Sequence, residues 1–137
     1  MERLSLEALT AAVRQLEKGL DRAREAPADE VLRDGVIQRF EYTYELCWKT
    51  LKRYVQVYLP LGSLVDEMSL QDLIRTGNEA GVLRSDWPAW KRFRELRGRT
   101  SHTYDRAKAE EVFAAIPDFL GEALHLLARL RERTEVR

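Results

Sequence analysis

The 137-residue chain has 23 basic and 23 acidic residues, a formal net charge of +0 and 45% hydrophobic residues. These values predict one folded domain over residues 1–137 and exclude a disordered chain. Because the charges balance, attraction to nucleic acid has to come from a local patch. We see no signal-peptide core and no run of about 18 apolar residues, so we expect a cytoplasmic protein without membrane contact.

Apolar residues at alternating steps of three and four predict two long helices in the N-terminal half. The first stripe covers Leu6–Ala23 and ends before Pro27. Asp29 is suited to cap a second helix over about Glu30–Leu59. Cys47 is the only cysteine and falls in that helix, so we expect a buried, inert thiol and no intramolecular disulfide.

The C-terminal half continues the helical pattern. Pro60–Ser63 forms a break, and Ser69–Gly81 brackets a short helix. A fourth helix is expected over Asp86–Gly98, and a fifth from about Asp105, with Pro117 kinking or splitting it. Because no segment favours a β-strand, the sequence predicts an all-α, up-and-down bundle of about five helices, similar to a four-helix bundle.

The segment Lys91–Asp105 concentrates basic residues in an otherwise neutral chain. Five of them fall within nine positions: Lys91, Arg92, Arg94, Arg97 and Arg99. Cationic groups neutralise phosphates, and nearby aromatic rings such as Tyr104 can stack on unpaired bases. The alternative is a solvated helix face with ordinary ion pairs, and charge alone favours that alternative.

His102 adds acid–base chemistry to this segment, because a histidine near neutral pH can accept or donate a proton. Arg97 precedes it by five residues, which on one continuous helix would place the two about 140° apart. A helix break at Gly98 removes that restriction. The two groups would then meet the minimum for metal-free RNA cleavage: a base for the 2′-hydroxyl and a cation for the phosphate. A hydrogen-bonded structural histidine is the alternative.

The segment Arg97–Tyr104, written R-x4-H-x-Y, resembles the signature of HEPN-domain proteins of the HepT type. That group includes nucleotidyltransferase substrate-binding proteins. The similarity extends to Val36–Lys52 (VIQRFEYTYELCWKTLK) and to Ser69–Ile74 (SLQDLI), in the same order along the chain. It therefore covers three separated stretches across most of the sequence.

The resemblance implies a dimer or a higher even oligomer and a metal-independent endoribonuclease, the toxin of a toxin–antitoxin pair. Arg97 and His102 would be the catalytic residues, with no metal and no cofactor. The partner would be a minimal nucleotidyltransferase antitoxin, which would transfer AMP from ATP to Tyr104. The added phosphate would block RNA from the site.

RNA phosphates would also meet two further guanidinium groups and two hydroxyl groups, those of Arg94, Arg99, Thr100 and Ser101. The spacing of Glu45 and Lys49 suits an ordinary ion pair along one helix face. The resemblance instead supports a place for Glu45 in the cleft where the Arg97 and His102 pairs of two subunits would meet. Gly98 departs from the family pattern, which often has a polar residue, commonly Asn, after the motif arginine.

The sequence is compatible with two other functions. One is a non-catalytic subunit that presents a nucleotide or another anion to a separate nucleotidyltransferase, and Gly98 favours this interpretation slightly. The other is a structural helical adaptor without a ligand. RNA cleavage that persists in EDTA separates the nuclease from both alternatives.

Overall fold

The computed structural model describes residues 4–134, which contain five α-helices, two 3₁₀ helices and no β-strand. The α-helices are α1 Glu7–Glu25, α2 Glu30–Tyr58, α3 Leu70–Glu79, α4 Trp87–Gly98 and α5 Arg106–Thr134. The 3₁₀ helices are Gly62–Glu67 and Thr100–His102. The predicted all-α bundle with five α-helices is confirmed, whereas dimerisation stays a prediction.

The helix boundaries follow from local capping chemistry. The side chains of Asp29, Ser69 and Asp86 accept hydrogen bonds from backbone N–H groups in the first turns of α2, α3 and α4. Gly81 follows α3 with φ +80°, a left-handed conformation that glycine adopts without strain. All four of these predicted boundaries are confirmed.

Two details differ from the sequence prediction. A 3₁₀ helix, Gly62–Glu67, begins inside the predicted break Pro60–Ser63 and continues beyond it; it packs on α2, and its Val65 side chain is fully buried. Of the two outcomes expected at Pro117, a kink or a split, the split is absent, because α5 continues through this position although a proline removes one backbone donor from the helix. Its neighbours Ile116 and Phe119 are fully buried, and their packing favours the continuous helix.

An aromatic cluster joins α2, α4 and α5 at the centre of the bundle. The Phe119 ring on α5 makes edge-to-face contacts with Phe40 on α2 and Phe93 on α4, at centroid distances of 4.9 and 5.3 Å. Trp90 packs edge-to-face on Phe93 at 5.4 Å. Such pairs stabilise the fold by about 0.5–1.5 kcal/mol each beyond area burial. The cluster therefore fixes α4 against α2.

A buried carboxylate holds the start of α4 against α5. Glu122 is 4% exposed and accepts hydrogen bonds from Arg84 Nε at 2.7 Å, from the Ser85 backbone N–H at 3.1 Å and from the Ser85 hydroxyl at 2.8 Å. These charge-assisted bonds compensate for the burial of the charge. The segment that leads into α4 is thus anchored to α5.

Candidate functional site

The site forms where α2 faces the last turn of α4. On α2, Glu41 and Glu45 each follow a buried aromatic residue, and four residues separate them, so they share one face at the edge of the core. On α4, Arg97 follows the buried Leu96 in the same way. Packing of the aromatic cluster therefore sets two carboxylates opposite one guanidinium.

Arg97 forms ion pairs with both carboxylates. Its Nη1 lies 3.3 Å from Glu41 Oε2, and its Nε lies 3.4 Å from Glu45 Oε1 without hydrogen-bond geometry. The other oxygen of Glu45 accepts a hydrogen bond from Trp48 Nε1 at 3.1 Å. Glu45 thus pairs with Arg97 instead of Lys49, and the structure favours its place in the site over the ordinary helical pair.

Thr100 completes this α2–α4 network, which consists of Glu41, Glu45, Arg97 and Thr100. Its side chain is 8% exposed, and its hydroxyl accepts a hydrogen bond from Arg97 Nη1 at 3.2 Å. The hydroxyl proton has two acceptors in reach: Glu41 Oε2 at 2.5 Å and the Arg97 carbonyl at 2.8 Å. The charged acceptor gives the stronger bond. The Thr100 hydroxyl therefore lies inside the network.

His102 and Tyr104 form a second group on the connector between α4 and α5. His102 ends the 3₁₀ helix Thr100–His102, and its Nδ1 lies 3.2 Å from the Tyr104 hydroxyl. The rings meet edge to face at 5.8 Å. Tyr104 is 84% exposed, the largest exposed fraction among the large hydrophobic residues described. An imidazole and a phenol thus stand together at the surface.

The remaining predicted site residues differ in their exposure and in whether they already have an ion-pair partner. Arg94 is exposed on α4, whereas the Arg99 guanidinium forms an ion pair with Glu111 on α5. Ser101 is exposed beside the buried Thr100. Of these residues, Arg94 and Ser101 remain open to an incoming phosphate without breaking an existing ion pair.

A cleft of about 420 Å³ opens beside the α2–α4 network, between α2, the start of α3 and the end of α4. We call it the Trp48 cleft. Its lining residues are Tyr44, Glu45, Trp48, Lys52, Val65, Met68, Ser69, Leu70, Leu73, Arg94, Arg97 and Gly98. It combines an apolar wall with three cationic side chains, and neither His102 nor Tyr104 belongs to its lining.

Two buried groups on α2 stay protonated at neutral pH. Burial, and then the nearby Glu45 carboxylate, raise the pKa of the Tyr44 phenol to about 12, although Arg94 and Arg97 lower it. Burial also raises the pKa of the Cys47 thiol. The prediction of a buried, unreactive cysteine is confirmed in its burial, since Cys47 is 0% exposed.

The structure thus brings Arg97, Thr100 and Glu45 into one network and His102 and Tyr104 into another group. Within residues 4–134, no hydrogen bond or ion pair joins Arg97 to His102. Sequence reasoning did not place Glu41 in the site. The available signal was its spacing of four residues from Glu45, which puts both carboxylates on one helix face.

Neither a metal centre nor a membrane span is evident in the described part of the chain. Residues 4–134 include no group of three or more His, Cys, Asp or Glu side chains placed to hold a metal ion. None of the helices found within that range combines the length and the apolar character needed to cross a bilayer.

Three comparisons with known proteins agree. The family described as nucleotidyltransferase substrate binding protein like matches residues 4–132. A Haemophilus influenzae protein named probable ribonuclease HepT is 34% identical over 142 residues, covering 98% of this chain and 97% of that protein. A solved H. influenzae structure, described as the fold of a substrate binding domain of a nucleotidyltransferase, is 33% identical with a TM-score of 0.86.

That structure covers 93% of this chain and is itself covered to 99%. A solved structure from Thermus thermophilus is also 33% identical, with a TM-score of 0.62, and the match covers 85% of this chain and 98% of that one. The similarity therefore spans 85% or more of this chain in each case and does not depend on one motif.

Proposed function

Because this chain belongs to the nucleotidyltransferase substrate binding protein like family and is HepT-like along nearly its whole length, we propose that it is a metal-independent endoribonuclease toxin. The observation that carries the proposal is the contact between His102 and Tyr104 at the surface. The imidazole belongs to His102, which follows Arg97, the first residue of the motif, by five positions. An accessible imidazole and a guanidinium supplied by one motif suit phosphodiester chemistry when both reach the same phosphate.

The proposed reaction uses the 2′-hydroxyl of RNA as the nucleophile. His102 accepts the proton of that hydroxyl, whose oxygen attacks the adjacent phosphorus while the 5′-oxygen of the next nucleotide leaves and takes a proton from water. The products are a 2′,3′-cyclic phosphate and a 5′-hydroxyl. Arg97 stabilises the charge that develops on the phosphate oxygens, and the exposed Arg94 and Ser101 contact the neighbouring phosphates. Arg99 and Thr100 contribute more weakly to RNA binding, since both already have partners.

Because Arg97 already pairs with Glu41 and Glu45, an RNA phosphate has to reach the one-third of its side chain that stays exposed. We propose that this happens in a homodimer, or a higher even oligomer, where a second copy brings its own His102 to the phosphate held by Arg97. This arrangement explains how two groups that do not touch within one chain act on one bond.

Tyr104 is the proposed control point. A partner nucleotidyltransferase would bind ATP, and the phenolic oxygen would attack the α-phosphorus, with pyrophosphate as the leaving group. His102 Nδ1, at 3.2 Å, is placed to take the phenolic proton. The attached AMP would add negative charge and bulk beside the imidazole, so RNA would be excluded and the toxin silenced.

The experiment is cleavage of labelled single-stranded RNA by the purified, unmodified protein in EDTA. The proposal predicts cleavage that leaves 2′,3′-cyclic phosphate ends, and prior AMP transfer to Tyr104 should abolish it. RNA that stays intact at high enzyme concentration contradicts a nuclease function.

A second candidate is a non-catalytic subunit that binds a nucleotide or another anion for a separate nucleotidyltransferase. It is supported by the two carboxylates that already pair with Arg97, by Gly98 at the motif position that is often polar, and by the substrate-binding description of the H. influenzae structure. This candidate predicts binding without cleavage in the same assay.

A further inference from the structure

We infer that the Trp48 cleft is a pocket for one unpaired nucleotide of the RNA, next to the phosphate that Arg97 holds. The inference rests on the proposed RNA substrate and extends it to residues that the cleavage chemistry does not use. Arg97 belongs to the α2–α4 network and also lines the cleft. A nucleotide bound in the cleft therefore places its phosphate within reach of the Arg97 guanidinium.

One wall of the cleft is apolar and comes from the segment before α3 and from α3 itself. Its members are Val65, Met68, Leu70 and Leu73. The part of the lining that α2 contributes is aromatic and contains Tyr44 and Trp48. A cleft lined by aromatic and aliphatic side chains suits a nucleobase, because base–aromatic stacking stabilises binding by about 1–3 kcal/mol per base.

The Trp48 ring is held in place before any ligand arrives. Its indole N–H donates to Glu45, and the Lys49 ammonium lies 5.7 Å from the ring centroid. A ring fixed by two contacts loses little conformational entropy when a base stacks on it. The Trp48 ring is therefore preorganised for stacking on a base.

The cations of the cleft point to an anionic ligand. Lys52, Arg94 and Arg97 line it, against one carboxylate, Glu45, whose two oxygens already contact Arg97 and Trp48. In the part of the chain that the structure describes, neither Lys52 nor Arg94 has an ion-pair partner. Two uncompensated cations beside an apolar wall fit a phosphate attached to a base better than they fit a purely apolar ligand.

The size and the opening of the cleft agree with this occupant. Its volume of about 420 Å³ lies in the range of small-molecule sites. Gly98 forms part of the rim, and a Cβ added there would meet nothing within 4 Å. The rim nearest Arg97 is therefore open, as a continuing RNA strand requires.

The test measures binding of adenosine 5′-monophosphate to the full-length protein by calorimetry. Trp48→Ala and Lys52→Gln should each weaken binding by about tenfold or more. The matched controls are Trp87→Ala, another half-buried tryptophan, and Lys18→Gln on α1, and both should bind within about twofold of the unsubstituted chain. Equal losses in the controls, or no binding of the nucleotide at millimolar concentration, would overturn the inference.

Two further measurements exclude a folding artefact. Adenosine, which lacks the phosphate, should lose affinity in Trp48→Ala but not in Lys52→Gln. Leu70→Trp adds bulk at a half-buried position of the cleft and should exclude the nucleotide while the far-UV circular dichroism stays helical. Unchanged nucleotide binding in Leu70→Trp contradicts the pocket.

RNA cleavage separates this inference from the proposed function. Trp48→Ala should raise KM and change the base preferred beside the cut, whereas His102→Ala should bind the mononucleotide normally. Nucleotide binding with no RNA cleavage by the unsubstituted chain would refute the nuclease and support the pocket. Cleavage with an unchanged base preference in Trp48→Ala would overturn the pocket and leave the nuclease standing.

Discussion

The two ends of the Arg97–Tyr104 segment differ in what surrounds them. Arg97 and Thr100 are tied to Glu41 on α2, and Thr100 is 8% exposed. His102 and Tyr104 contact each other, and Tyr104 is 84% exposed. One short motif therefore has an anchored end, whose contacts hold α4 against α2, and a free end, whose groups can meet a substrate or a partner.

Because of this difference, substitutions at the two ends of the motif should affect the free energy of unfolding and the activity differently. Substitutions at the anchored end remove contacts on which the fold depends, so they should change both unfolding and activity. Substitutions at the free end should change activity and leave unfolding almost unaltered, because exposed side chains contribute little to stability.

The largest effect is expected for AMP transfer to Tyr104→Phe. Without the phenolic oxygen there is no acceptor, so mass spectrometry after co-expression with the partner nucleotidyltransferase should find no AMP on this variant. The free energy of unfolding should stay within about 0.5 kcal/mol. The control is Tyr42→Phe, which removes the hydroxyl of another exposed tyrosine; this variant should still carry AMP on Tyr104. AMP found at a different residue would remove Tyr104 from its role.

Arg97→Ala should reduce RNA cleavage by about 10²–10³-fold, because the charge on the transition state loses its cation. It should also lower the free energy of unfolding by about 1 kcal/mol, since Glu41 and Glu45 then face each other without a cation and are only partly screened by solvent. Arg97→Lys should recover more stability than cleavage, because an ammonium cannot contact two carboxylates in a fork. Wild-type cleavage by Arg97→Ala contradicts the assignment.

Thr100→Val should lower the free energy of unfolding by about 1–2 kcal/mol, because the Glu41 carboxylate loses a short hydrogen bond at a buried position. Ser101→Ala, one residue later and exposed, is the matched control, with a change below about 0.5 kcal/mol. Urea unfolding of both variants measures the difference. Equal stability of the two would mean that the anchored end does not depend on Thr100.

Gly98→Asn should give the smallest change. The position is helical and has open space, so the side chain fits and should stabilise the protein by a few tenths of a kcal/mol. If the polar group supports Arg97 with one hydrogen bond, cleavage should rise up to about fivefold. A loss of stability would show that the rim of the Trp48 cleft does not tolerate a side chain.

Much of this arrangement could be predicted from the sequence, because it depends on local rules. The spacing of apolar residues indicated the helices, and Gly98 correctly marked the end of α4 that separates Arg97 from His102. The partnership of Thr100 with Glu41 could not be predicted, since it joins residues 59 positions apart. That contact arises from the packing of the aromatic cluster, which no local pattern encodes.

The same reason explains why the Trp48 cleft was not foreseen. Trp48 lies on α2 and Leu70 on α3, and the direct packing of α3 on α2 brings them to one cavity, together with the 3₁₀ helix Gly62–Glu67 between the two helices. A tryptophan at this position of an amphipathic helix is typical of a core or dimer contact. In the structure it is half-buried, with its indole N–H fixed by Glu45.

The central claim is that the free end of the motif supplies the acid–base group, and the chain offers a matched control because it has only 2 histidines. RNA cleavage in EDTA should be compared between His102→Ala and His125→Ala, with thermal unfolding measured for both. We expect His102→Ala to lose about 10²–10⁴-fold in rate at nearly unchanged stability, while His125→Ala cuts normally. Equal cleavage by the two variants would contradict that claim.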